Sequence, residues 1–196
     1  VKNENEILED ARMIDAKGAG FTGGDPLARI ERTVKYIKML KKKFGKKFHI
    51  HLYTSLDLVD ADKIKKLYNA GLDEIRIHPD IFSDKLWGKI AVVTKYNWDI
   101  GVEIPSIPNA KKQTEKLIEY FSDKIDFLNL NELEIADNNA QKLGTFVPKS
   151  RLSYAVRGSE ELGTRARRHR RRCACRTRAR GRTSRRPCSG CSCRRR

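Results

Sequence analysis

The stretch Phe48-His49-Ile50-His51-Leu52-Tyr53-Thr54 alternates between two kinds of side chain. In an extended chain Phe48, Ile50 and Leu52 project to one side and His49, His51 and Tyr53 to the other, because the side-chain period of a strand is two. The pattern recurs downstream. Ile75 and Ile77 oppose Glu74, Arg76 and His78; Ile100, Val102 and Ile104 oppose Gly101, Glu103 and Pro105; Leu128 and Leu130 oppose Asn129 and Asn131. Strands are therefore expected at Phe48–Thr54, Glu74–His78, Asp99–Ile104 and Phe127–Asn131. Others are expected at Ala16–Thr22 and, less strongly patterned, Leu152–Val156. Helical spacing of apolar residues predicts helices over Leu27–Phe44, Asp60–Ala70, Phe82–Tyr96 and Lys111–Phe121.

Strict alternation of strand and helix requires a parallel sheet with right-handed crossovers. An open doubly wound sheet is covered on both faces, and its strands read as near-continuous apolar runs. Strands with one apolar and one polar face fit a closed arrangement better, with helices outside and a polar lumen around a ligand. The expected fold is α/β: a partial TIM-like (β/α) barrel of parallel strands.

Charge divides the chain in two. The formal net charge of +17 suggests a nucleic-acid binder. Yet residues 1–162 carry 27 Lys and Arg against 25 Asp and Glu, an ordinary balance. Residues 163–196 hold 15 Arg with no Lys and no acid. All five cysteines, Cys173, Cys175, Cys188, Cys191 and Cys193, lie in this second part. A cysteine-free body has no disulfide framework. No run approaches the roughly 18 apolar residues of a membrane helix, so no membrane partner is expected and the location read is cytoplasmic. The domains are read as a 1–162 body and a 163–196 tail. From Arg165 onward the composition predicts disorder. Three readings of the tail stay open: an out-of-frame or foreign read-through joined after Leu162, a basic RNA-binding arm, or a zinc site. The cysteine spacing is irregular for zinc, and no apolar core surrounds it.

The polar face gathers three of the four histidines, His49, His51 and His78, with Arg76, Glu103, Asn129 and Asn131. Charged groups held inside a barrel need partners, so such a cluster implies mutual pairing or a polar ligand. Active sites of parallel barrels lie at the C-terminal ends of the strands. Tyr53, His78, Glu103 and Asn131 fall nearest that rim. His49 and Glu74 begin their strands, where a structural hydrogen-bond network is the simpler reading. The sequence singles out no catalytic residue and no metal ligand.

Thr22-Gly23-Gly24-Asp25-Pro26 sits where a strand ends and a helix begins. Glycine permits positive φ and close approach of a ligand to the backbone. The helix start offers N–H donors, and Asp25 offers both a capping oxygen and a negative charge. Donors beside a carboxylate suit an amino-acid zwitterion, although a tight turn with an Asp cap accounts for the same residues.

The string from Gly18 to Leu27 resembles the Gly-Gly-Glu motif of radical S-adenosylmethionine (radical SAM) enzymes, with Asp25 where Glu is usual. The resemblance continues through His49–Thr54, Ile75–Pro79, Val102–Pro105 and Leu128–Glu132. These look like strand ends of an archaeal-type group related to pyruvate formate-lyase activating enzymes. The resemblance implies S-adenosylmethionine as cofactor, with Thr22, Gly23, Gly24 and Asp25 at its methionine amino group. Arg76 or His78 would lie near the ribose, and Glu103 and Ile104 near the adenine. Tyr53, Asn129 and Asn131 complete the cofactor-binding candidates. It also implies a [4Fe–4S] cluster on a C-x3-C-x2-C loop, which the body lacks, since cluster ligation needs thiolates. The motif is expected upstream of Val1. The chain would then begin with the helix before the second strand, as a fragment lacking the barrel's first strand and inactive alone. The implied reaction is reductive cleavage of S-adenosylmethionine to a 5′-deoxyadenosyl radical, which abstracts hydrogen from an unknown substrate. A ferredoxin or flavodoxin would supply the electron. The alternatives are a non-radical barrel enzyme acting on an acidic or phosphorylated metabolite, with His and Glu as acid and base, or an RNA-binding protein using the Arg tail.

Overall fold

The computed structural model describes residues 3–135, 146–150 and 153–179. The chain forms two compact units, Val1–Pro79 with Lys85–Val102, and Asp80–Asp84 with Glu103–Arg196. Five parallel strands follow the order β1-β2-β3-β4-β5: β1 (Gly18–Phe21), β2 (His49–Thr54), β3 (Glu74–Ile77), β4 (Asp99–Ser106) and β5 (Phe127–Glu132).

In the first unit the registers Gly18 with His49, His51 with Glu74, and Glu74 with Asp99 align the strands. Paired residues in a parallel sheet share a face, so the alternation read from each strand carries across its neighbours. Ile50, Leu52, Ile75, Ile77, Ile100 and Val102 are all fully buried. On the other face His49 is exposed, while His51, Tyr53 and Arg76 are half-buried. Right-handed crossovers between strands in this order bring the connecting helices to one side, and the one-sided burial follows.

Those helices are α2 (Ile30–Phe44), α3 (Ala61–Ala70) and α4 (Ile90–Val93), and α1 (Glu4–Met13) precedes β1. Asn3 caps α1 by accepting from the Glu6 amide at 2.9 Å. Asp60 caps α3 from the Lys63 amide at 2.8 Å, and this bond holds its carboxyl below the usual range. Gly71 ends α3 with φ +96°, the left-handed cap that glycine reaches without strain. Lys41 on α2 donates to Asp73 at 2.6 Å and to the Phe48 carbonyl at 2.7 Å, and Asp73 accepts from the Ile50 amide at 2.7 Å. That network ties α2 to the start of β2.

Three expectations for residues 1–162 need correction. The helix read over Leu27–Phe44 begins as a 3-10 turn, Pro26–Arg29, and becomes α-helical only at Ile30. The helix read over Phe82–Tyr96 shrinks to a 3-10 turn, Trp87–Lys89, and the single turn of α4. Trp87, Ile90 and Val93 are buried at helical spacing. Continuation is interrupted beyond Val93, where the Trp98 indole donates to the Val93 carbonyl at 3.1 Å. The strand read at Leu152–Val156 does not extend the parallel series. Its described part, β7 (Ser153–Val156), pairs antiparallel with β6 (Pro148–Ser150) in a separate sheet; Leu152 lies outside the described residues.

In the second unit α5 (Lys111–Phe121) buries Thr114, Leu117, Ile118 and Phe121, the stripe its spacing predicts. It packs on α6 (Ser159–Ala179). The structure is therefore helical over Arg165–Ala179, where composition predicts disorder; the rest of the tail lies outside the described residues. Ala and Arg are strong helix formers, and the first turns of α6 are anchored by buried Leu162 and Ala166.

Ser159 fixes the start of α6. Its hydroxyl, fully buried, donates to the Ser106 carbonyl at 2.7 Å and accepts from the Leu133 amide at 2.7 Å. Ser159→Ala would leave both backbone groups unsatisfied, so urea denaturation should show a loss of about 2 kcal/mol. An unchanged midpoint would show that water replaces the hydroxyl.

Candidate functional site

The turn after β1 is held by one carboxylate. Asp25 Oδ1 accepts from the Leu27 amide at 2.9 Å, capping the 3-10 turn. Its two oxygens also lie 3.0 and 2.9 Å from the Thr54 hydroxyl. Oδ2 further accepts from the Ser55 amide at 3.1 Å and the Ser55 hydroxyl at 3.2 Å. With the Thr54 hydroxyl also 2.9 Å from the Ser55 carbonyl, four donor groups surround Asp25. Its carboxylate fastens the turn to the end of β2, and Thr22, Gly23 and Gly24 are left exposed. Gly23 has φ +107°, a conformation that a side chain would strain. A Cβ built on either glycine meets nothing within 4 Å. The turn's backbone is open to an incoming molecule.

Beside it runs a ladder of polar side chains on β2 and β3. His51 and Tyr53 pack edge to face at 5.4 Å between ring centroids, and Tyr53 and His78 at 5.5 Å. The Tyr53 hydroxyl accepts from Arg76 Nη1 at 2.6 Å, and the guanidinium carbon lies 5.2 Å from the Tyr53 ring centroid. Arg76 Nε also donates to Glu74 Oε1. His49 Nε2 lies 3.3 Å from Glu74 Oε2. Glu74 is buried, so both its oxygens need donors, and Arg76 and His49 provide them. His78 follows β3 and is exposed, although its amide still donates to the Thr54 carbonyl at 2.9 Å.

The second unit carries the remaining candidates. Asn129 and Asn131 each donate a side-chain N–H to Glu103, at 3.1 Å to Oε2 and 3.1 Å to Oε1. The alternation of β4 and β5 put these three on one face, and they meet there. Ile104 is only 2 % exposed, on the apolar side. Any contact it makes with a ligand is through its backbone.

Sequence reasoning brought Tyr53, Arg76 and His78 together correctly, and likewise Glu103, Asn129 and Asn131. It missed Thr54 and Ser55 as the partners of Asp25. The two hydroxyls lie some thirty residues from the acid in the chain, and no local signal joins them.

Residues 1–130 match the family model of the radical SAM superfamily. The chain belongs to the radical SAM superfamily. A curated relative from Methanocaldococcus jannaschii carries the name "Putative glycyl-radical enzyme activating enzyme" and is 44% identical over 167 residues. The match covers 80% of this chain and 44% of that relative, so the chain spans under half its length. The radical SAM assignment agrees with the resemblance read from the Gly23-Gly24-Asp25 turn and the strand ends that follow.

The family's two cofactors fit this chain differently. S-adenosylmethionine carries an ammonium and a carboxylate, and the open backbone of Thr22, Gly23 and Gly24 suits such a group. The iron–sulfur cluster needs thiolates, and no residue from 1 to 172 is a cysteine. This stretch supplies no ligand for it.

Asp25→Ala removes a helix cap and the acceptor of Thr54 and Ser55. The expected cost is about 2–3 kcal/mol, read by chemical denaturation. Hydrogen exchange at the Leu27 and Ser55 amides should accelerate in the same variant. Protection unchanged at Ser55 would show that the carboxylate does not hold the turn.

Proposed function

We propose that this chain carries the S-adenosylmethionine-binding portion of a radical SAM activase whose substrate is a protein, a glycyl-radical enzyme. The observation that carries the reading is the turn at Gly23 and Gly24, exposed at the C-terminal end of β1 and fastened by Asp25 to β2. Ligands of parallel (β/α) folds bind at that end of the strands. The family membership and the relative's name support the choice of cofactor and of substrate class.

The fold reading that accompanies it is a partial (β/α) barrel. The unbroken strand order and the single apolar face of β2 and β3 support it, because doubly wound sheets reverse their order and carry apolar residues on both faces. Among the described residues no helix is long and apolar enough to cross a membrane, in keeping with a cytoplasmic enzyme working with a ferredoxin or flavodoxin.

In this reading Thr22, Gly23 and Gly24 hold the methionine end through their backbone, and Asp25 keeps them in place. Tyr53 and Arg76 form a braced pair: the hydroxyl and the stacked ring fix the guanidinium, which can then bind a ribose hydroxyl or a carboxylate without losing much side-chain freedom. In the second unit Glu103, steadied by Asn129 and Asn131, is an acceptor suited to an amino or hydroxyl donor. S-adenosylmethionine supplies hydrogen-atom abstraction when reduced at a [4Fe–4S] cluster; the residues described here bind and orient.

The acid–base alternative is less well supported. The His49–Glu74 pair lies at the strand starts, away from the end where such enzymes work.

Saturation-transfer NMR with S-adenosylmethionine tests the proposal on this chain. Signals from the methionine methylene and ribose protons are expected. Gly24→Val should weaken binding at least tenfold, and Arg76→Met several-fold with selective loss of the ribose signals. Equal binding by Gly24→Val, or displacement by simple phosphate esters, would remove the reading.

A further inference from the structure

We propose that His49, His51 and Glu74 form a binding site for a divalent transition-metal cation, of the zinc class, at the N-terminal edge of the sheet. One nitrogen from each histidine and one Glu74 oxygen all lie within 4.8 Å of one another. Two imidazoles and a carboxylate are the donor set of zinc and its late first-row neighbours. Ligands on one tetrahedral zinc at bond lengths near 2.1 Å are about 3.4 Å apart. His49 Nε2 and Glu74 Oε2 stand at 3.3 Å already. The His51 donor starts within 4.8 Å of the other two, and rotation of the imidazole about its side-chain bonds brings it closer.

His49 Nε2 and Glu74 Oε2 also suit each other as a hydrogen-bonded pair, which a bound ion would replace. Glu74 is buried and held by Arg76 through its other oxygen, Oε1, which turns Oε2 toward His49. Partners of this kind commonly orient a ligating carboxylate. Arg76 opposes a dication electrostatically, but its guanidinium also reaches away to the Tyr53 hydroxyl at 2.6 Å. The neighbouring strand leaves room. Gly18 and Gly20 pair with His49 and His51 and put no side chain on their face. A Cβ at Gly20 would come within 2.6 Å of His51 Nε2, so glycine there lets the ring lie across β1. With three protein ligands and His49 exposed, the remaining coordination positions are open to water, unlike a sealed structural site. The site is separate from the Gly23-Gly24 turn, since His49 and Glu74 are the first residues of their strands.

Because two ligands come from β2 and one from β3, a bound ion clamps adjacent strands and raises the melting temperature by mass action. The test uses the full chain with Cys173, Cys175, Cys188, Cys191 and Cys193 changed to Ser, which removes thiolate binding. Competition against a chromogenic chelator should find one equivalent of Zn2+, and Co2+ should give visible d–d bands without sulfur charge transfer. His49→Ala and His51→Ala should each weaken Zn2+ binding at least tenfold and abolish the zinc-dependent rise in melting temperature; His169→Ala should change neither. The His49 side chain is 45% exposed, so His49→Ala is the milder change where the buried Glu74→Gln variant does not fold, and a cooperative melting transition shows that it is folded. A cysteine-free chain without cobalt bands, or a folded His49→Ala variant that binds zinc as its parent does, overturns the proposal.

Discussion

Everything in the parallel sheet depends on the registry of side chains across strands. A strand's period of two sorts its own residues, but only in-register pairing makes the sorting common to neighbours. Here His51 faces Glu74, and Glu74 faces Asp99. A slip of one residue would turn Ile75 and Ile77 outward and drive Glu74 and Arg76 beneath the helices. Burying that charge would cost several kcal/mol, so the polar face is enforced by what the apolar face cannot accept. The ion-pair ladder of Glu74, Arg76 and Tyr53 is a product of this constraint.

Much of this was legible in the chain. Alternation in residues 48–54 and 74–78 identified the buried isoleucines and the polar groups opposite them, because strand periodicity is local information. Helix α5 was legible to the residue for the same reason. The capping role of Asp25 was also visible, since Asp followed by Pro is a local signal. Its attachment to Thr54 and Ser55 was not. That bond joins residues separated by a whole strand–helix unit, and a single sequence carries no mark of which hydroxyl will face which acid.

The remaining differences have the same origin. The residues 82–96 show helical spacing, and Trp87, Ile90 and Val93 are indeed buried, but tertiary packing of Trp98 against the Val93 carbonyl ended the helix early. Composition argued for disorder from Arg165. Packing of Leu162 and Ala166 overrode it at the start of α6, after which a run of good helix formers continued. The Glu103 cluster shows the converse case: two asparagines two residues apart on one strand and an acid on the next sufficed to foresee their meeting.

Strand β1 has a further consequence. It stands at one end of the strand order, and among the described residues β2 is its one strand neighbour. Its four residues, Gly18-Ala19-Gly20-Phe21, carry no charge, and charges are what usually guard an exposed sheet margin. The backbone donors and acceptors on that side form a template for another extended segment, whether from the same polypeptide or from a neighbouring molecule. Gly20, which makes space for His51, leaves that margin without a side chain at its level, while the strand's length of four residues limits how much it can pair with another chain.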